Sequence, residues 1–167
     1  MIQRIQSFLL VLALVGFVLL FLFPTATFEA GNVTTSSLTL VQNEEQRDFN
    51  METGEPGFIP QNSVILMIMA IVLVIGTLVG IFLYKNRVRQ MRFVSMLGLI
   101  NLVYIGIMFL SCIPDAADVL ANMNMGEVST TYSVGTFVPI VTLILIVIAQ
   151  RCIRSDEMKV RAADRIR

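Results

Sequence analysis

Asn101, Tyr104 and Thr142 are polar side chains set inside long apolar runs of this 167-residue chain. An amide buried there without a hydrogen-bond partner costs about 1–3 kcal/mol, so Asn101 needs one. Two kinds of chemistry are open to them. Isolated polar residues can bond across helices, or they can line a path for a neutral solute. For Asn101, alone near the middle of its run, the interhelical bond is the expected use. None of the twelve cationic and twelve acidic residues lies inside an apolar run, and there is no histidine. Proton relays and ion-coupled transporters usually keep ionisable groups within the membrane, where each costs roughly 2.5–3.5 kcal/mol even on the mildest scale. Ion coupling is therefore not expected. Nor is catalysis, since the chain lacks a His-Glu-x-x-His pair, a Cys-x-x-Cys, a Gly-x-Ser-x-Gly elbow and a phosphate loop. The chain reads as non-enzymatic, without catalytic, metal-binding or cofactor-binding residues and without a nucleic-acid partner.

The elements that must position these residues follow from hydropathy and charge. The composition is 56% hydrophobic and 14% charged, which suits a lipid-embedded chain better than a soluble one. The basic stretch from Tyr84 to Arg92, containing Lys85, Arg87, Arg89 and Arg92 and no acid, separates two runs that can each cross a bilayer. Cations gather in short loops that are not translocated, so this turn is expected on the cytoplasmic side. The sequence predicts an all-α membrane protein, a four-transmembrane-helix bundle with a short β element in the first external loop. Its helices are expected at about 6–27, 63–84, 93–114 and 132–150, as one four-span domain over 1–167. External loops fall at 28–62 and 115–131, the cytoplasmic turn at 85–92 and a cytoplasmic tail at 151–167. Pro24 is expected to stop the first helix, Ser63 to cap the second and Pro139 to bend the fourth. The first run is longer than a signal core and lacks a good Ala-x-Ala site, so it is expected to be retained. The Ser/Thr/Val-rich stretch from Thr34 to Val41 supplies the β element.

Sorting the charges by this map separates them by sign. The cytoplasmic segments carry eleven cations against three acids, net +8, and the external segments carry nine acids against Arg47 alone, net −8. Neutrality of the chain is thus a dipole across the membrane, with both termini cytoplasmic.

Small residues mark the faces on which helices should meet, because lipid tails supply no hydrophobic drive for association. At about 100° per residue, Gly76 and Gly80 share a face of the second helix. Gly98, Asn101 and Cys112 lie within about 60° on the third, and Gly135, Pro139, Thr142 and Ala149 within about 80° on the fourth. Packing inside one chain is the expected use of Gly76-x-x-x-Gly80, with a homo-oligomer as the alternative. Cys112 and Cys152 belong to opposite ends of the bundle and cannot pair with each other.

Beyond the last helix, Arg151 and Arg154 already supply the cations that positive-inside retention requires. Lys159, Arg161, Arg165 and Arg167 follow, in an order that suits the helix macrodipole, and Glu157 can pair with Arg161 one turn on. The tail is expected either to continue the fourth helix as an anchor or to dock on a partner or on acidic headgroups.

The opening Met1-Ile-Gln-Arg-Ile-Gln6, the Ile81-Phe-Leu-Tyr-Lys-Asn-Arg87 junction, Phe137-Val-Pro139 and the ending from Ile153 to Arg167 together carry a resemblance. The chain resembles, end to end except for its external loops, a family of small bacterial inner-membrane proteins of unknown function from the Bacteroidetes group. The resemblance implies a four-span protein with no assigned activity. The expected role is a non-catalytic subunit or accessory factor of a membrane complex. It would dock through its basic cytoplasmic face, with the lipid bilayer, anionic headgroups and a membrane-protein partner as its contacts. The alternative is a small permease or channel for a neutral solute or lipid, with Asn101, Tyr104 and Thr142 along the path.

Overall fold

The computed structural model describes residues 2–30, 33–38, 61–122 and 128–165, and there the apolar runs resolve into four long helices and a small sheet. Helix α1 spans Ile2–Leu19 and closes with Phe21, Leu22 and Phe23 donating their amides to the carbonyls of Val18 and Leu19 at 3.0–3.1 Å. It thus starts earlier and ends sooner than the expected 6–27. Pro24 cannot continue a helix, and the residues after it gain more from strand pairing, as Ala26–Ala30 form β1. Strand β2, Val33–Leu38, supplies the β element anticipated in the first external loop, whose remaining residues 31–32 and 39–60 lie outside the described ones.

Helix α2, Gln61–Phe82, begins ahead of Ser63, which therefore sits inside its first turn instead of capping it. First-turn amides need no intrahelical acceptor, so Gln61 and Asn62 can precede the apolar run at little cost. After a 3₁₀ turn at Leu83–Lys85, helix α3 runs Arg87–Ile107. Its continuation overturns another expectation. Pro114 does not end the helix; a π-helical turn at Met108–Cys112 leads directly into α4, Ile113–Asn122. The amide of Ile113 donates five residues back to Met108, and this wider turn eases the approach of the Pro114 ring to the preceding carbonyls. The expected loop at 115–131 is accordingly half helix, and it ends in strand β3, Val128–Tyr132. Helix α5, Val134–Arg165, carries the fourth apolar run and the tail through to Arg165 without a break. Arg167 lies outside the described residues.

Helix α5 packs between α1 and α3, and α2 packs between the same two helices on the other side, so the four close into a ring. Neighbours are antiparallel: Gly16 on α1 faces Thr142 and Val138 on α5, Gly76 on α2 faces Leu97 on α3, and Ser95 on α3 meets Gln150 on α5. The enclosed core contains Leu10, Ala13, Phe17, Leu66, Ala70, Leu73, Leu97, Tyr104 and Ile146, all essentially inaccessible. Outside the ring the pattern inverts. Three segments, Val64–Phe82, Val88–Asp118 and Val134–Met158, are long and apolar enough to cross a membrane, and only 33%, 28% and 33% of their apolar windows are buried. Ile68, Ile75, Leu99, Leu110 and Ile144 are among the large apolar side chains left exposed. So much exposed hydrocarbon is compatible with an integral membrane protein and foreign to a soluble monomer. In α1 the apolar stretch Ser7–Leu19 is shorter.

One end of the ring carries the antiparallel sheet, ordered β2-β1-β3. Ala26 pairs with Leu38 on one side and with Tyr132 on the other, so the exit of α1 is tied to the approach of α5. The join is tightened by backbone bonds from Ser133 to Thr25 (3.1 Å) and from Gly135 to Pro24 (3.0 Å), and by the Thr136 hydroxyl donating to the Thr25 carbonyl. A Cβ at Gly135 would strike the Pro24 carbonyl, a backbone group that cannot swing aside. Gly135→Ala is therefore expected to cost about 1–3 kcal/mol by overpacking. Gly106→Ala, whose added Cβ meets nothing within 4 Å, should be neutral or gain up to about 1 kcal/mol of helix propensity. Thermal unfolding of the two variants in detergent checks the contrast, and an equal response of both would contradict this packing.

Candidate functional site

Two groups of residues stand out from the generic bundle: the arginines at the end opposite the sheet, and a polar seam inside the α3/α5 contact. At the basic end the connection between α2 and α3 is tighter than the expected turn at 85–92. Only Asn86 separates the 3₁₀ turn from α3, so Arg87, Arg89 and Arg92 are helical residues in the first two turns of α3. The chain can turn this sharply because its polar groups are satisfied locally. The Asn86 amide donates to Leu83 at 3.0 Å, the Gln90 amide to Asn86 at 2.9 Å, and the buried Gln90 side chain donates to the Gly80 carbonyl at 3.0 Å. Gly80 lies in the last turn of α2, whose carbonyls lack helical partners, so Gln90 caps α2 from α3. Its position in a basic stretch hid this role. Asn86, with its amide oxygen turned to Arg89, accepts from Nε at 3.0 Å and from Nη2 at 2.7 Å.

Cations at a helix N-terminus oppose the macrodipole, by roughly 0.3–1 kcal/mol each when exposed. Arg87 and Arg89, in the first turn of α3, thus carry a cost to its macrodipole. Arg89 and Arg92 are exposed, as are Arg151 and Arg154 on the adjoining stretch of α5. The backbone of α5 then carries Lys159, Arg161 and Arg165 onward in helical form. Lys85 is the last residue of the 3₁₀ turn. At the sheet end the exposed charges include Asp115 and Asp118, so the two ends of the ring present opposite signs.

The polar seam brings together three of the residues singled out by sequence. Asn101 Nδ2 donates to the Pro139 carbonyl at 3.1 Å and to Thr142 Oγ1 at 3.2 Å, and Thr142 Oγ1 donates to the same Pro139 carbonyl at 2.9 Å. Asn101 and Thr142 are fully buried, and Pro139 lies inside α5. Nearer the basic end Gln150 Nε2 donates to Ser95 Oγ at 2.7 Å, and Ser95 donates to Met91 O at 2.8 Å. Tyr104 is buried one turn from Asn101, and its hydroxyl, like Asn101 Oδ1, has no hydrogen-bond partner among the described residues.

The glycines divide by tightness. A Cβ on Gly76 would lie 2.5 Å from Leu97 Cδ2, whereas one on Gly80 would lie 3.7 Å from Leu97 and Phe93, an ordinary contact. Both face α3 within the chain. Gly98 lies against α5, where an added Cβ would stand 3.5 Å from Ile146 Cγ2. Gly16 is the glycine that sequence reasoning missed. The Thr142 methyl occupies the place its side chain would take, and the buried Ala13 three residues earlier on the same face is the small-residue signal that could have found it. Cys112 is buried at the π turn, Cys152 is half-buried near the basic end, and both are free thiols. Among the described residues no three acidic, cysteine or histidine side chains cluster as a metal site would require.

Comparison with known proteins adds one finding. Residues 2–166 match the family model DUF4293, a domain of unknown function. No curated protein and no solved structure matches the chain.

The seam makes a quantitative prediction. Thr142→Val keeps the methyl in the Gly16 groove and removes the hydroxyl, and Asn101→Leu removes the amide. A double-mutant cycle of the two, read by unfolding in detergent, should give a coupling of about 0.6–1.7 kcal/mol. Strict additivity would mean that the amide is held by the Pro139 carbonyl alone.

Proposed function

The chain belongs to the DUF4293 family, and on that premise we propose that it is a non-catalytic subunit or accessory factor of a membrane complex, docking through its basic end. In this reading all four long helices span a bacterial inner membrane. Both termini and the α2/α3 connection face the cytoplasm, and the sheet faces outward. Support comes from the charge sorting, +8 against −8 by segment, and from the contrast between the basic and acidic ends of the ring.

The observation that carries the docking role is the length of α5. Its 32 residues extend about 48 Å, against a hydrocarbon core of about 30 Å. Measured from Val134, the core is used up near Arg154, and 155–165 then project about 16 Å beyond it as a charged helix. Anchoring does not require this length, because Arg151 and Arg154 already stand at the boundary. Asp156 is still buried, and the helix that continues past it with Lys159, Arg161 and Arg165 suits a protein groove better than the plane of a membrane.

A solute path along Asn101, Tyr104 and Thr142 has less behind it. Asn101 Oδ1 and the Tyr104 hydroxyl, without a partner among the described residues, favour it, but the Asn101 amide nitrogen and Thr142 are spent on joining α3 to α5.

Truncation after Arg154 tests the docking role. Insertion and abundance should stay near those of the full chain, while the protein partner recovered by crosslinking and mass spectrometry is lost. Recovery of the same partners in the same yield would reduce the tail to an anchor. Reporter fusions after Asn50, Gln90 and Arg167 test the sidedness, and an external signal at Gln90 would overturn the whole map.

A further inference from the structure

We propose that the outer face of the α3/α5 seam at the basic end is a binding site for one anionic phospholipid, held by Arg92 and Arg154. The Ser95–Gln150 hydrogen bond fixes the register of the two helices at this point. Arg92 lies three residues before Ser95 on α3, and Arg154 four residues after Gln150 on antiparallel α5. Both are therefore one turn beyond the bond on the same side, toward the basic end. At 100° per residue, Arg92 stands about 60° from Ser95 around α3, and Arg154 about 40° from Gln150 around α5. The buried Ile153 fills the inner side of the seam at this level, and the two exposed arginines flank its outer side. Neither Arg92 nor Arg154 makes an ion pair with another described residue.

In the other direction from the bond the same face is hydrocarbon. Leu99 and Leu102 on α3 and Val147 on α5 are 63%, 55% and 38% exposed. The order along the seam is thus two guanidinium groups, then a half-buried hydroxyl–amide pair, then an open apolar strip. A phospholipid has the same order: phosphate, glycerol esters, acyl chains. Guanidinium groups bond phosphate oxygens bidentately, and Gln150 retains a second N–H for an ester carbonyl. A soluble anion would satisfy the arginines and leave the strip unused, which is why the occupant is a lipid. The tail invoked for protein docking lies beyond Arg154, so the two surfaces are separate.

Native mass spectrometry of the full chain in non-ionic detergent tests the site, with dioleoyl phosphatidylglycerol and dioleoyl phosphatidylcholine as probes at equal concentration. A single phosphatidylglycerol adduct should exceed the phosphatidylcholine one about thirtyfold, the factor expected from two surface cations. R92Q/R154Q should abolish that preference, while K159Q/R161Q in the tail should leave it unchanged. Should the glutamine pair fail to insert, R92K/R154K keeps the charge needed for insertion and loses the bidentate fork, and the preference should fall severalfold. Equal loading of the two lipids, an unchanged preference in the seam variant that inserts, or the same loss in the tail variant would each overturn the proposal. So would displacement of the lipid by excess inorganic phosphate, which would reduce the seam to a bare anion site.

Discussion

Thr142 joins three of the four helices, and the bundle depends on that junction. Its methyl lies in the space left by Gly16 on α1, while its hydroxyl donates to the Pro139 carbonyl of its own helix and accepts from Asn101 on α3. In a lipid surround apolar side chains gain little by leaving tails for one another, so helices associate through close approach and hydrogen bonds. Thr142 supplies both. The Pro139 carbonyl can take two donors because a carbonyl oxygen has two lone pairs, and Asn101 thereby stitches α3 to α5 at the same level. With α5 held on both flanks, α2 needs only to close the ring, which it does through Gly76 against Leu97.

The two ends of this ring are finished by different physics. At the sheet end, long-range backbone pairing links residues from opposite ends of the sequence, from Ala26↔Tyr132 to Ala30↔Val128. The sheet and the Gly135–Pro24 bond together set where α1 stops and α5 starts. Phe28 of β1 is buried, and Tyr132 lies against Phe109 of the π turn with ring centroids 6.0 Å apart. At the basic end the closure is local. A 3₁₀ turn, Asn86 and the Gln90 cap reverse the chain within a few residues, and Arg92 takes no part in that closure. The cost of these cations to the α3 dipole is offset by no acid in the first turn of that helix, which directs attention to partners outside the bundle.

Much of this was legible in the sequence, and the reasons differ by element. Helix α2 can be read from hydropathy alone, to within about two residues at each end, because an uninterrupted apolar run has one stable form in lipid. The faces bearing Gly76 and Gly98 follow from the 100° repeat, as does the need of Asn101 for a partner. Less legible were features whose cause lies elsewhere in the chain. Pro24 and Pro114 are both helix breakers by local chemistry, yet only Pro24 ends a helix. The difference is that strands β2 and β3 receive the chain after Pro24, while the π turn before Pro114 absorbs the misfit.

The sequence by itself determined which segments are apolar enough to be helices in a membrane, which ends carry which charge, and that Asn101 would need a partner. Those are one-dimensional properties, set by composition and by the period of a single helix. Only the tertiary structure decided that Gly16 receives the Thr142 methyl, that Gln90 caps α2, that β3 pairs with β1, and that Arg92 and Arg154 flank one seam. Each of these depends on the order of helices around the ring and on their relative register. A helical period specifies a face but not the neighbour that meets it, and the neighbour is selected only when all four faces are closed together.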